Sequence, residues 1–350
     1  MSGDAADLRR AGVIAGHNDH ETVRTKQEEI MREAVDNNAS TQAPTELFDI
    51  TDYAVNGCAS LGNVVDPVEC RKLRDHIDSH RPVSKDIFYA SRAEFEAIGR
   101  WHNYAPGTQD HNFLLNKDID LSFIEKNPKF IAQMQQLCGT DYRIFKKSII
   151  RSMPRWAIPD WCVEAVQDVG RPNMNPYIRE DFKDVQFFFY TDFHQDKTRP
   201  TSDFVTVYVY LDEVDANYSA LKILTKSHAL GMTTYPHSIR SSEKPGKYYY
   251  SDNLGNTIDC DMMTVTGAPG SISIFHCMTL HGTGFNDSPN PRISLRYLIA
   301  KSKTNTEVTL QDQANLQVFG PKMLYPTRFD VNLDGSFKKT GSSLMSLGLG

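Results

Sequence analysis

Phe204-Val205-Thr206-Val207-Tyr208-Val209-Tyr210-Leu211 is an unbroken run of β-branched, aromatic and aliphatic side chains. Such a run is too short for a buried helix and too rich in valine and tyrosine to prefer one, so it reads as a strand. Working outward from it, runs of the same texture recur. Ile149-Ile150 and Val185 to Tyr190 lie before it, and Met263 to Val265, Ile272 to Phe275 and Ile293 to Ile299 lie after it. Turn-forming Gly, Pro, Asn and Asp separate many of them. The chain ahead of Tyr142 has a different texture. Asp66-Pro67-Val68-Glu69 offers an N-cap, a proline at the first helical position and a glutamate at the third, followed by Cys70, Leu73 and Ile77 on one face. Ser91-Arg92-Ala93-Glu94 is a second capping box, and a third helix is expected from Asn127-Pro128 to Gly139, closed by a left-handed glycine cap. Helices followed by a series of strands argue for an α+β or helix-flanked jelly-roll architecture rather than alternating βα units. Two longer stretches, Ser152–Asp184 with Trp156 and Trp161, and Met232–Cys260 with Tyr248-Tyr249-Tyr250, read as irregular loops suited to lids or substrate walls.

The 350 residues carry 38 basic and 44 acidic side chains, a formal charge of −6, so the chain lacks the basic footprint that binding nucleic acid requires. It has neither an apolar run long enough to cross a bilayer nor a basic-then-apolar leader. Its six cysteines are scattered without a CxxC pair, which suits a reducing compartment, and the expected location is cytoplasmic. The first aromatic residue is Phe48, so residues 1–45 are read as a mobile or partly helical arm, with an oligomerisation arm and hence a homodimer as the alternative. A single domain is expected over residues 46–302, followed by a C-terminal extension over 303–350 whose Gly- and Ser-rich end looks loose.

Chemistry concentrates in a few places. His194-Gln195-Asp196 follows the strand-like run Gln186–Phe193, and residues two apart on an extended chain project to one side. His281, in His281-Gly282-Thr283-Gly284, is the best third partner. Two histidines and one carboxylate on one face suit Fe(II), because they leave adjacent positions open for a cosubstrate and O₂. Arg292 opens Arg292-Ile293-Ser294-Leu295-Arg296, in which Arg292, Ser294 and Arg296 share one face and Ile293, Leu295 and Tyr297 the other. A guanidinium fork beside a hydroxyl is the expected receptor for a carboxylate. Arg296 by itself reads as half of a surface ion pair on an edge strand. Lys146, Lys147 and Arg151 read as solvated, His228 as ordering its turn, and His276 as a packed group. Phe187 to Tyr190 is mostly core, with Phe188 and Tyr190, the alternate members on the His194 side, as pocket candidates.

The order His194-x-Asp196, His281, Arg292 resembles the phytanoyl-CoA dioxygenase-like branch of the Fe(II)/2-oxoglutarate oxygenases. Phe193-His194-Gln195-Asp196 is similar to that family's aromatic-His-Gln-Asp segment. Leu211-Asp212-Glu213 and the stretch Ala220 to His228 resemble the part that ends in a Gly-Ser-His turn, with Lys226 in place of the glycine. His276 with His281-Gly282-Thr283-Gly284 resembles its His-x4-His-Gly-Ser segment, and Asp52–Ile77 its first strand and helix, so the likeness spans residues 48–302.

The resemblance implies a mainly β fold with flanking helices and a double-stranded β-helix (jelly roll, cupin-like) core. It implies Fe(II) held by His194, Asp196 and His281, and 2-oxoglutarate paired with Arg292 and helped by Ser294 or Thr283. O₂ would be the oxidant, succinate and CO₂ the coproducts, and ascorbate a supporting reductant. The reaction would be hydroxylation, desaturation or oxidative cyclisation of a small or mid-sized metabolite of specialised biosynthesis, with Tyr190, Phe188, Trp156 and Trp161 as pocket candidates. Asp196 leaves no room for halide, which argues against halogenation. The alternatives are a keto-acid-independent iron oxygenase, which has no need of Arg292, and a non-catalytic jelly-roll binding module.

Overall fold

The computed structural model describes residues 50–98, 119–166, 177–182, 186–188, 190–196 and 203–319. The N-terminal arm expected over residues 1–45 and the loose C-terminal end lie outside the described residues. Two six-stranded sheets face each other. The major sheet runs β1 (Cys58–Asn63), β10 (Ser271–His276), β5 (Val205–Tyr210), β12 (Arg292–Ala300), β2 (Arg143–Ser152) and β3 (Gln186–Phe188). The minor sheet runs β4 (Thr191–His194), β11 (His281–Thr283), β6 (Leu221–Leu224), β9 (Thr257–Val265), β8 (Lys247–Ser251) and β7 (Ser238–Ser241). Neighbours are antiparallel except for the β2–β3 pair. This is the jelly roll that the family resemblance implies, and one of the two architectures that the helix-then-strand pattern allows.

The quoted run shows why the layers form. In β5, Val205, Val207 and Val209 face outward into a core shared with Cys70, Leu73 and Ile77 of helix Pro67–His80 and with Phe130, Met134 and Leu137 of helix Pro128–Cys138. Tyr208 and Tyr210 face inward and pack with Cys58, Ile150 and Phe275 of the major sheet and with Leu221, Ile223, Met263 and Val265 of the minor sheet. Each fully buried side chain of this kind stabilises the fold by about 1.5–3 kcal/mol. The helices covering the outer face are what make both faces of β5 apolar. Their starts follow the caps read from sequence. Asp66 accepts from Val68 N–H, Asn127 from Lys129 and Phe130 N–H, and Ser91 from Glu94 N–H. Glu94 reaches back to Ala90 N–H rather than to Ser91. Gly139 closes its helix at φ 89°, ψ 167°, a glycine conformation outside the expected left-handed helical cap.

Three expectations are corrected. The stretch Met232–Cys260 is not irregular: β7, β8 and the start of β9 extend the minor sheet, and Tyr248 and Tyr250 pack with Phe193, Leu224, Ile239, Cys260 and Leu280. Strands such as Ser238-Ile239-Arg240-Ser241 carry too few apolar residues to show a period, and only pairing to a neighbour reveals them. Arg151 is fully buried on the helix-facing side of β2, where it pairs with Asp78 and the Arg81 carbonyl, instead of being solvated. Arg296 lies on an inner strand, since β12 is flanked by β5 and β2, and not on an edge.

Beyond β12, helix Leu310–Phe319 packs back onto the barrel. Gln311 accepts from the Tyr53 hydroxyl at 2.7 Å and donates to Asp203 at 2.7 Å, while Asn315 bridges Asp203 and His276. Just past helix Tyr53–Asn56, Gly57 adopts φ 69°, ψ 9°, and a Cβ there would clash with Nδ1 of the buried His228. Left-handed strain and the clash act together, so Gly57→Ala is expected to cost about 3 kcal/mol of stability. Urea unfolding measures it, and a loss under about 1 kcal/mol would show that the turn can relax.

Candidate metal centre

Strands β4 and β11 bring the first two side chains together, because His281 and His194 are direct register partners. Gly282 permits the approach: a Cβ there would stand 2.6 Å from the Thr191 carbonyl. The imidazole centroids are 4.3 Å apart. Nδ1 of His194 lies 2.8 Å from the Asp192 carbonyl and Nδ1 of His281 lies 3.0 Å from the Thr279 carbonyl. A carbonyl can only accept, so each Nδ1 carries a proton and Nε2 is the atom left to offer a lone pair to a metal. Asp196, just past the end of β4, completes the set, and the ligand atoms of the three residues lie within 4.8 Å of one another.

Asp196 is held from the opposite sheet. Its Oδ2 accepts from the Thr206 hydroxyl at 2.9 Å, and its Oδ1 lies 3.2 Å from Nη2 of Arg296 and 3.7 Å from Nε2 of His281. Burial pushes this carboxyl up, but Arg296, His281, His194 and the Thr206 bond outweigh burial and hold it well below the usual carboxylate range. Two imidazoles held by their Nδ1 bonds with Nε2 turned inward, and one ionised carboxylate, form a donor set that suits a divalent transition metal such as Fe(II).

The inner face of β12 supplies the second element. Arg292 is fully buried, its Nη1 donates to Ser294 Oγ at 3.0 Å, and its guanidinium carbon lies 5.8 Å from the Tyr210 ring centroid. Its Nε is buried without a hydrogen-bond partner among the described residues. An unspent buried donor on a fixed cation is costly, and a ligand carboxylate would satisfy it. Thr283 shares a 2.9 Å hydroxyl contact with Thr191. Phe188 packs on the interior cluster, whereas Tyr190 packs against Phe285 and the helix-side core. The chain leaves the major sheet at Phe188 and joins the minor sheet at Thr191, so the period-two parity that would align Phe188 and Tyr190 does not carry across. Trp161 donates to the Tyr89 carbonyl and packs on Phe95 and Tyr177, and half-exposed Trp156 donates to the Pro289 carbonyl.

Sequence reading gives three residues around the cluster no part in it: Arg296 reads as half of a surface ion pair, and Gln195 and Thr206 only as members of a motif and a strand. Thr206 and Arg296 hold Asp196. Gln195 donates to the Gly231 and Met278 carbonyls, both at 2.7 Å, and accepts from Thr233 N–H, tying the segment between the ligands to two loops. Thr206 could have been found by extending the alternation of Tyr208 and Tyr210. His276 and His228 are neutral packing groups: His276 accepts from Met278 N–H and donates to Asn315, and burial pushes His228 down to about 3.

The profile of the family described as Phytanoyl-CoA dioxygenase (PhyH) matches residues 53–294, a span that includes His194, Asp196, His281 and Arg292. The chain belongs to the phytanoyl-CoA dioxygenase family. This family consists of iron- and 2-oxoglutarate-dependent dioxygenases, and the residues present fit both groups. Among characterised proteins, ectoine dioxygenases of Bordetella bronchiseptica and Bordetella parapertussis are each 28% identical over 148 residues, 39% of this chain. The match spans 46% of each of those relatives, so the chain covers about half their length. Among solved structures, the α-ketoglutarate-dependent epimerase SnoN of nogalamycin biosynthesis is 16% identical with a TM-score of 0.43, over 72% of this chain and 81% of SnoN. EvdO2 from Micromonospora carbonacea var. aurantiaca is 15% identical with a TM-score of 0.43, over 77% and 98%. No helix among the described residues of this dioxygenase-family chain is long and apolar enough to cross a membrane.

Proposed function

We propose that this protein is a 2-oxoglutarate-dependent oxygenase that oxidises a small or mid-sized metabolite by hydroxylation, desaturation or ring closure, with release of succinate and CO₂. The observation that carries the reading is the His194–Asp196–His281 cluster in the same barrel as a buried arginine with an unspent donor. His194, Asp196 and His281 would hold Fe(II), and Arg292 with Ser294 would hold the distal carboxylate of 2-oxoglutarate. When bound, the metal would activate O₂, the oxidant, with 2-oxoglutarate giving up two electrons as it is decarboxylated to succinate, and so supply the oxidising power for attack on an unactivated C–H bond. The chain's own part is positional. The Nδ1 bonds to Asp192 and Thr279 keep both Nε2 atoms turned inward, and Arg292 offers a fork that a flexible lysine would not. The interior aromatic and aliphatic side chains, including Phe188, Tyr208, Met263 and Val265, exclude water from the reaction.

An interior wall that mixes these with Ser148 and Ser294 supports a substrate having both apolar and polar parts, as metabolites of specialised biosynthesis do. Six free, buried thiols support a reducing, cytoplasmic setting. The test is an anaerobic titration of the Fe(II)-loaded protein with 2-oxoglutarate, followed through the visible metal-to-ligand charge-transfer band. The band is expected at stoichiometric cosubstrate. Bound iron without a band would turn the assignment to an oxygenase that needs no keto acid.

A further inference from the structure

Asp196 is gripped on both oxygens by neighbouring strands of the sheet opposite its own. Thr206 of β5 donates to Oδ2, while Arg296 of β12 reaches Oδ1. In register Arg296 pairs with Tyr208 and Leu298 with Thr206, so the two donors are diagonal neighbours on the inner face. Both are encased: Thr206 is fully buried, and Arg296 is 15% exposed. A free carboxylate has about four lone-pair sites and can bind a metal through one oxygen or both. Bidentate binding would use a coordination position that keto acid and O₂ together require beside two histidines. A hydroxyl donating to Oδ2 competes for that second oxygen. The guanidinium on Oδ1 stops the carboxylate from rotating about Cβ–Cγ to bring Oδ2 round. Its strongest ties are thus to residues that are not ligands, and Nε2 of His281 lies 3.7 Å from Oδ1.

We infer that Thr206 and Arg296 are positioning residues that restrict Asp196 to one-oxygen coordination and so keep open the position into which 2-oxoglutarate chelates. This rests on the oxygenase reading above and adds two residues with a stated job. The isosteric Thr206→Val removes only the hydroxyl donor, and Arg296→Met removes the cation. With either variant, loss of this partner of Asp196 should lower metal affinity by about tenfold, so binding is compared at saturating metal, where 2-oxoglutarate binding to the metal-loaded protein weakens by about tenfold. Substituted Co(II) gives a second readout, since its visible absorption weakens as coordination number rises. The ligand-free Co(II) spectrum should change intensity in Thr206→Val, and Thr206→Ser should restore it.

Arg296→Lys, which keeps the charge and loses the fork, should fall between wild type and Arg296→Met. Unchanged 2-oxoglutarate affinity together with an unchanged Co(II) spectrum in Thr206→Val would overturn the inference. So would loss of metal in step with a fall in melting temperature, which marks a merely structural contact. Wild type is measured first with Fe(II). An absent charge-transfer band there would count against the oxygenase reading, while the Co(II) spectra of the variants would still decide how Asp196 binds.

Discussion

Asp196→Ala is expected to lower Fe(II) affinity by at least about 100-fold and to remove detectable turnover, since loss of an outer-shell partner alone commonly costs 10–100-fold. The carboxylate is the only acidic member of the three-residue cluster, and the two imidazoles would bind a metal in their neutral form, so its removal leaves nothing to balance a divalent charge. It also leaves Arg296 beside Thr206 without its anion. Stripping one partner from a buried ion pair costs about 3–5 kcal/mol, and Arg296, being slightly exposed, should recover part of that through water. Asp196→Asn separates the two effects, because its side-chain oxygen can still accept from Thr206 while the charge is lost. Anaerobic metal analysis after gel filtration reads the affinity. If Asp196→Ala kept stoichiometric iron, the metal would have to be elsewhere.

Arg292→Ala is expected to weaken 2-oxoglutarate by about 30-fold or more, the equivalent of 2 kcal/mol or above for truncating one side of a buried charge pair. Iron affinity should stay within about threefold, because Arg292 is not among the grouped ligands. Arg292→Lys should recover only part of the loss, since an ammonium cannot reproduce two parallel N–H donors. The ligand-free protein offers a second measurement. Arg292 holds a buried charge with an unpaired Nε, so Arg292→Met should unfold no more easily than wild type while losing the melting shift that 2-oxoglutarate confers. A large drop in stability without ligand, with cosubstrate affinity intact, would make Arg292 a structural group.

Much of this was legible in the chain before any coordinates. The helix starts at Asp66, Ser91 and Asn127 follow from side chains that bond the nearest backbone N–H groups, a matter settled within four residues. The inward face of β12 follows from simple alternation, which placed Arg292, Ser294 and Arg296 together against Ile293, Leu295 and Tyr297. The shared side of His194 and Asp196 follows from the same period, which here carries just past the end of β4. Alternation fails where a strand ends, and for that reason Phe188 and Tyr190 part company at the switch from one sheet to the other. It also fails where a strand has too few apolar residues to show a period, as in β7.

What the sequence by itself determined is therefore local and periodic: the caps, the strand-rich half, the two faces of β5 and β12, and the residue types of a metal and carboxylate site. Which side chains meet across the barrel was decided by tertiary structure alone. His281 stands opposite His194 because β11 pairs with β4, across a separation of more than eighty residues that carries no periodic signal. Arg151 and Arg296 have equally basic side chains on adjacent strands, yet one is sealed under a helix beside Asp78 and the other faces Asp196. The pleat gives each arginine a face, and only the packing of helices on one side of the sheet and of a second sheet on the other determines what that face meets.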